Sequence, residues 1–403
     1  MRVLLATSFP VPGEYDGTAM LPIKILRALK TRGVEVVLAH LRARPPWASG
    51  TRGEFEGTPL FTLPPSDWIA GLKHIHDEFP FDIVHAQHHG GAIRSFPACR
   101  LHGWPLVYEL HSLLGEEVER DKLGRGPAFR FNLAMERRVA RKADAVIVLG
   151  EKVKEVMIAE KGVNPARLSV IYPGIDLNEY DDAIAPAKIE GIESQHKVVM
   201  YVGNIEHPNQ GVPILIDALP RVFETIPEAR CVLVGGPIEA GERYKDRLGK
   251  FADRLVVLTG KSPTEVVALT KRADVLIHSR LACRENYSVQ SKIAVYLAAE
   301  RPIVATDFAD YQDILGATNA GLLTKVDPNA IAEGILHVLT DSNLARTLAG
   351  NTRAVAEEHF GMERNIDRYL AVYQGAIDSM PLSGWLWRRR RKTSKRPNRA
   401  TTS

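Results

Sequence analysis

The chain has 403 residues, of which 45% are hydrophobic and 25% charged, and a formal net charge of +4. That length predicts two or three domains, and that balance excludes a disordered, fibrous or disulfide-stapled chain. The three cysteines, Cys99, Cys231 and Cys283, are far apart in sequence. They predict neither a disulfide framework nor a zinc site, and they fit a reducing cytoplasm. No apolar run reaches the ~18 residues of a membrane span. The N-terminus, Met1–Ala6, reads as a buried strand rather than a leader peptide.

In chain order, Val3–Ala6 predicts a first strand. Leu21–Arg32 places Leu21, Ile25, Leu26 and Leu29 on one helical face, with Gly33 ending the helix. Val34–Ala39 predicts a second strand. Ile83-Val84, Leu106–Tyr108 and Ala145–Val148 predict further strands. The same grammar restarts at Lys197, with strands at Val198–Gly203, Cys231–Gly236, Leu255–Thr259, Val275–His278 and Ile303–Thr306. Helices are expected at Val212–Thr225, Ile293–Ala299 and Glu363–Ile377, the last able to pack on either unit. Strands alternating with helices imply parallel sheets. The expected fold is α/β, with two doubly wound, Rossmann-like domains facing across a cleft. Residues 1–178 would form the first domain, 179–196 a linker that includes Asp181–Pro186, and 197–361 the second domain. Residues 362–380 would form a C-terminal helix, and 381–403 a basic tail expected to be disordered.

Ligands of open α/β sheets sit at the carboxyl ends of the strands, so the candidate residues are sought there. Gly17 and Thr18, at a strand-to-helix turn, suit an anion as well as a plain turn. His85, His88 and His89 raise the question of a metal. No acid or cysteine stands at ligand spacing, so cleft-lining polar residues are expected and no metal. His111 follows a strand and points either at a sugar or phosphate or at backbone. In the second half, Gly203–Gly211 and Gly235-Gly236 end strands. Arg280 offers a permanently charged fork for phosphate. Ser288, Ser291 and Lys292 open a helix. Hydroxyls, a helix N-terminus and a lysine at one point suit a diphosphate, although a lysine in a first turn can also be merely solvated.

At these residues the chain resembles a family 4 glycosyltransferase of GT-B fold, over roughly residues 1–378. The most specific stretch, Ser291–Asp307, is similar to the family block K-I-x-x-Y-L-A-x-G-x-P-I-V-A-T. Leu110-His111-Ser112, Gly33–Val36 and Tyr201–Gly203 with Gln210-Gly211 also resemble family segments. The chain departs from the family at several places. Asn204 and Gln210 stand where many relatives carry Arg and Lys, Tyr287 and Val295 where they carry two glutamates, and Glu300 where they carry glycine. A branch with Q-G in the first donor loop, S-P-R after a later strand and N…K-I-x-x-Y-L resembles the chain better, through Gln210-Gly211, Ser279-Arg280, Asn286 and Lys292.

The resemblance implies a retaining, metal-independent transfer of a sugar from a nucleotide-sugar, commonly linked to uridine diphosphate, to a hydroxyl acceptor. The nucleotide-sugar is a substrate, and no cofactor is expected. His111 and Glu285 are the catalytic candidates. The donor would be held by Gly17, Asn204, Gln210, Gly211, Gly235, Arg280, Asn286, Ser288, Ser291 and Lys292, with Arg280 and Lys292 replacing the usual phosphate clamp. A second reading is a degenerate GT-B protein acting as a binding or scaffold subunit, motivated by the missing Arg, Lys and glutamates. The tail from Trp385 to Lys392 joins interfacial aromatics to a cationic run, which suits an anionic membrane surface. It points to a sugar or lipid-linked acceptor in cell-envelope polysaccharide or glycolipid synthesis. The expected location is therefore cytoplasmic or peripheral on the inner face of the membrane, with no nucleic acid as partner.

Overall fold

A computed structural model describes residues 1–9, 11, 17–41, 51–114, 126–181 and 184–380. The first half runs β1 (Arg2–Thr7), α1 (Gly17–Thr31), β2 (Glu35–Leu41), β3 (Thr51–Phe55), β4 (Thr58–Leu63), α2 (Trp68–Glu78) and β5 (Ile83–Gln87). It continues with α3 (His88–His102), β6 (Leu106–Leu110), α4 (Pro127–Lys142), β7 (Ala145–Val148), α5 (Glu151–Ala159) and β8 (Leu168–Val170). Its eight strands lie in the order β3-β4-β2-β1-β5-β6-β7-β8. All neighbours are parallel except β3 and β4. That hairpin was not foreseen. Its two-residue turn is Glu56-Gly57, both at positive φ, a geometry that suits the twist of adjoining strands.

The second half runs β9 (Lys197–Val202), α6 (Val212–Thr225), β10 (Ala229–Val234), α7 (Ile238–Leu248), β11 (Leu255–Leu258), α8 (Pro263–Arg272) and β12 (Val275–His278). Then come α9 (Ser291–Ala298), β13 (Ile303–Thr306), β14 (Leu322–Thr324), α10 (Pro328–Thr340), α11 (Ser342–Val355) and α12 (Met362–Asp378). The strand order β11-β10-β9-β12-β13-β14 is all parallel. In each sheet the strand order reverses once, between β1 and β5 and between β9 and β12. The loops leaving those four strands splay apart and open a crevice, where doubly wound folds take their ligands. The strands are almost wholly apolar and buried, as expected for sheets covered by helices on both faces.

Three contacts bind the halves into one cleft. Asp310 of the second half reaches α5 of the first. Its Oδ2 accepts the Glu151 N–H at 2.6 Å and its Oδ1 the Lys152 N–H at 3.0 Å. Tyr172 Oη donates to the same carboxylate at 3.1 Å. The start of α5 has no cap from its own chain segment, so a carboxylate from the opposite domain satisfies its orphan donors and meets the positive end of its dipole. Nearby, Val289 N–H donates to Leu149 O at 2.8 Å.

The third contact is α12, which packs on the first sheet. Met362, Ile366, Tyr369, Tyr373 and Ala376 join the core built on Val3, Leu5, Ile25 and Leu29. Asn365 Nδ2 donates to Tyr172 O at 3.0 Å. Among the described residues no helix is long and apolar enough to cross a membrane. Residues 381–403, with the Trp385–Lys392 run, lie outside the described residues.

Replacing Asp310 by Ala removes the carboxylate that accepts the first N–H groups of α5. Caps of this kind contribute about 1–2 kcal/mol. Denaturant unfolding of Asp310→Ala should show a loss of that size, and a fall below a few tenths of a kcal/mol would contradict the latch.

Candidate functional site

A cleft of about 1400 Å³ lies between the two sheets. From the first domain it is lined by Phe9 after β1, His88 and His89 at the start of α3, and His111 after β6. From the second it is lined by Gly203 and Asn204 after β9, Gln210, Arg280 after β12, and Ser288, Ser291 and Lys292 at the head of α9. These are ends of parallel strands next to the two reversal points, which explains why residues some 200 apart in sequence share one space.

Lys292 is the centre of the second-domain wall. Its Nζ donates to Tyr201 Oη at 2.7 Å and to Gln210 Oε1 at 2.8 Å, and it lies 4.2 Å from the centroid of the Tyr201 ring. All these partners are neutral. Burial, together with the charge of Arg280, holds the Lys292 ammonium well below the ordinary lysine pKa. Burial and the same two cations push His278 well below its usual value. The acids among the described residues that line the cleft are Asp176 and Glu179 at the end of the first domain and start of the linker, Glu357 just before α12, and Glu363 and Asp367 within it. The cleft wall here therefore offers two basic side chains, Arg280 after β12 and Lys292 at the head of α9, and no carboxylate of the described residues lines the cleft beside them. The first-turn N–H groups of α9 have no side-chain cap. Such a surface attracts a dianion such as a diphosphate.

The loop around Lys292 is held rigidly. Gly211 has φ +68°, and a Cβ there would sit 1.7 Å from Ser279 O. A Cβ on Gly203 would come within 2.7 Å of Lys292 Nζ. Thr306 Oγ1 donates to Arg280 O at 2.6 Å, and Tyr296 Oη accepts from Val202 N–H at 2.8 Å. Asn204 is occupied within its own turn, its Oδ1 accepting from the N–H groups of Glu206 and His207 at 2.9 and 2.8 Å.

Across the cleft, the His111 ring lies parallel to Phe9 at 6.4 Å and edge-on to His88 at 5.9 Å. Its Nε2 is 3.7 Å from Glu109 Oε1. Glu109 is fully buried on β6. Its carboxylate meets His85 Nε2 at 2.8 Å and accepts from Gln87 Nε2 at 3.3 Å and Tyr369 Oη at 2.9 Å. Burial pushes this carboxyl up, but His85, the nearby His111 and the Tyr369 hydroxyl outweigh it, so its pKa lies below the ordinary value. His85 Nδ1 in turn meets Tyr373 Oη at 2.7 Å.

Of the expected site residues, Asn204, Gln210, Arg280, Ser288, Ser291, Lys292 and His111 line the cleft together. Gly211 and Gly235 do not line it. They act through close backbone approach, Gly235 against Gly203 O. Asn286 is placed differently from the expectation. It is wholly buried, and its Nδ2 donates to Leu281 O at 2.6 Å and Asn209 O at 3.3 Å. It braces two loops and does not face the cleft. Gly17 opens α1, and the side chain of Glu285 lies outside what the structure describes.

His85 was expected to line the cleft. Because β5 runs on to Gln87, it lies beneath the cleft floor in the Glu109 cluster. Among the described residues no group of three His, Cys, Asp or Glu side chains could hold a metal ion. Glu109 and Tyr201 were not among the expected site residues. The only available signal for Glu109 was a lone acid inside the apolar strand Leu106–Leu110.

Residues 15–179 match the family model described as Glycosyltransferase Family 4, and residues 196–341 match that described as Glycosyl transferases group 1. A D-inositol 3-phosphate glycosyltransferase of Mycobacterium tuberculosis is 27% identical over 91% of this chain and 80% of its own length. Sucrose-phosphate synthase from Thermosynechococcus elongatus has a similar fold, with a TM-score of 0.74 and 17% identity over 93% of this chain and 98% of its own. Anabaena HepE in complex with UDP superposes with a TM-score of 0.72 and 20% identity, over 92% of this chain and all of the other.

An anion that settles against Lys292 restores its charge. Between that depressed pKa and the ordinary lysine value, binding is expected to take up a proton. Inorganic pyrophosphate, titrated calorimetrically at mildly alkaline pH in two buffers of different ionisation enthalpy, should give different heats. Its affinity should weaken as pH rises. Lys292→Met should shrink both effects, leaving only what the titration of pyrophosphate itself contributes. The same buffer dependence in the unmodified protein and in Lys292→Met would rule the effect out.

Proposed function

We propose that this glycosyltransferase, a protein of two facing Rossmann-like domains, moves a hexose from a UDP-linked donor to a hydroxyl acceptor, with retention at the anomeric carbon and without a metal ion. The observation that carries the reading is the position of Lys292. Its Nζ lies 2.8 Å from Gln210 Oε1, in the loop where many family 4 enzymes place a lysine of their own. The charge missing from that loop is thus supplied from α9. Arg280 adds a second, permanent cation. Two cations and an uncapped helix start fit a diphosphate whose negative charge grows as the glycosidic bond to the nucleotide breaks.

In this reading the bond between the anomeric carbon and the phosphate oxygen breaks, and the electron pair leaves with the nucleoside diphosphate. The acceptor oxygen bonds to the anomeric carbon from the same face. Its proton passes to the departing phosphate oxygen or to His111. His111 and Phe9 form the wall against which the donor sugar and the acceptor meet. The UDP and UDP-glucose complexes of HepE support a uridine donor by likeness. An acceptor in cell-envelope polysaccharide or glycolipid synthesis, held near an anionic membrane by Trp385–Lys392, rests on the composition of that tail.

The binding-subunit reading has one observation in its favour. Asn204 is consumed in its own turn and Val295 has no polar atom, so neither replaces the charged residue of the relatives. A panel of nucleotide-sugars should show transfer or slow hydrolysis by the purified protein. Lys292→Met should lower kcat/KM by about 100-fold or more, the effect of removing one oriented charge from a developing anion. Lys292→Met and Arg280→Gln variants with undiminished turnover would sink the clamp. Binding of UDP-glucose without any turnover would favour the scaffold reading.

A further inference from the structure

Lys24 is a cation of the cleft that the donor clamp does not use and that no carboxylate among the described residues pairs with directly. It lies on α1 in the first domain and lines the cleft. Its neighbour Arg27 is tied to Glu56, Nη2 to Oε1 at 2.6 Å, and Arg32 to Asp367 at 3.0 Å. Lys24 makes no hydrogen bond or ion pair among the described residues. Burial is the main influence on its ammonium and lowers its pKa, with Glu179 opposing and Arg27 reinforcing. A half-buried ammonium without acceptors carries a cost. A ligand group placed against it would relieve that cost.

The geometry of α9 says which part of a ligand lies there. Helix positions four apart fall on one face, about 5–6 Å from each other. Val295 therefore follows Ser291 along the cleft wall, one turn beyond the diphosphate clamp. The same cleft is lined by Pro263 and Val266 of the second domain and by Met20 and Leu21 of α1, which packs against α9. These apolar side chains suit the flat, half-polar body of a nucleoside. Val295 has no polar atom and so offers no donor to the hydroxyls and carbonyls of such a group.

We propose that Lys24 of α1 binds the nucleoside end of the donor, donating to ribose hydroxyl or base carbonyl oxygens. The first domain then takes part in choosing the nucleotide as well as the acceptor. The assignment rests on the diphosphate clamp at Arg280 and Lys292. It gives α1 two tasks, packing in the core through Leu21, Ile25 and Leu29 and reading the ligand through Lys24.

The test compares two probes on the full chain by calorimetry, UDP and inorganic pyrophosphate, in the unmodified protein and in Lys24→Met, which keeps the apolar stem. A charged hydrogen bond lost from the nucleoside should weaken UDP about tenfold or more and leave pyrophosphate within about twofold. Unchanged UDP affinity in Lys24→Met overturns the proposal. So does an equal loss for both probes, which would place Lys24 on the phosphates, and so does a rise only in the KM of the acceptor. Lys292→Met should weaken both probes. If it weakens neither while Lys24→Met weakens UDP alone, the clamp reading fails and the Lys24 contact stands. Unmodified protein that binds neither probe overturns both. The melting temperature of Lys24→Met, expected to match the unmodified protein, separates loss of contact from loss of fold.

Discussion

The geometry of the cleft depends on a carboxylate that crosses it. Asp310, carried just past β13, accepts the first N–H groups of α5 in the other domain. A helix start that lacks a local cap is completed only when the domains are closed to this distance. Burial pushes the Asp310 carboxyl above its usual pKa, against the N–H groups of Lys152 and Glu151 that favour its charge. The contact is thus a balance between desolvation and hydrogen bonding. Tyr172, near the end of the first domain, donates to the same carboxylate. Through it the latch touches the segment where the chain passes between domains.

α12 gives the closure a second hold. It belongs to the end of the chain, yet its apolar face completes the core of the first sheet. Its two tyrosines reach Glu109 and His85 beneath the floor on which His111 stands. A buried carboxylate is tolerated here because two tyrosine or histidine partners and Gln87 meet its oxygens. The wall that carries His111 is therefore stiffened from behind by a helix that has crossed from the second domain. The relative position of the two walls and the stiffness of one of them have a common origin in the crossover.

The electrostatics of the cleft are uneven along its length. Around Arg280 and the head of α9 there are basic side chains and, among the described residues lining the cleft, no acids. Toward the linker, acids and cations alternate and largely pair with one another, as Arg32 does with Asp367 and Arg353 with Glu357. Attraction for an anion is thus concentrated at one end.

The sequence by itself determined the elements and their pairing into two α/β units. Buried parallel strands are continuous apolar runs, and helices carry a 3.6-residue stripe, so Val275–His278, Ile303–Thr306 and Val212–Thr225 were legible to the residue. It also placed Arg280, Ser291 and Lys292 at strand and helix ends, where an anion site forms. It did not show the β3–β4 hairpin, whose pairing comes from a turn at Glu56-Gly57 rather than from any alternation of side chains.

Only the tertiary structure decided which groups meet. Asn286 was read as a ligand contact and proves to be a brace, because the backbone carbonyls it satisfies belong to loops 5 and 77 residues away. Lys292 finds Gln210 from 82 residues away, Glu109 finds Tyr369 across 260, and Asp310 finds α5 across 159. Periodicity and local propensity report a residue's own element and face. Burial of a charge and the identity of its partner are set by how separate elements pack, which no local pattern encodes.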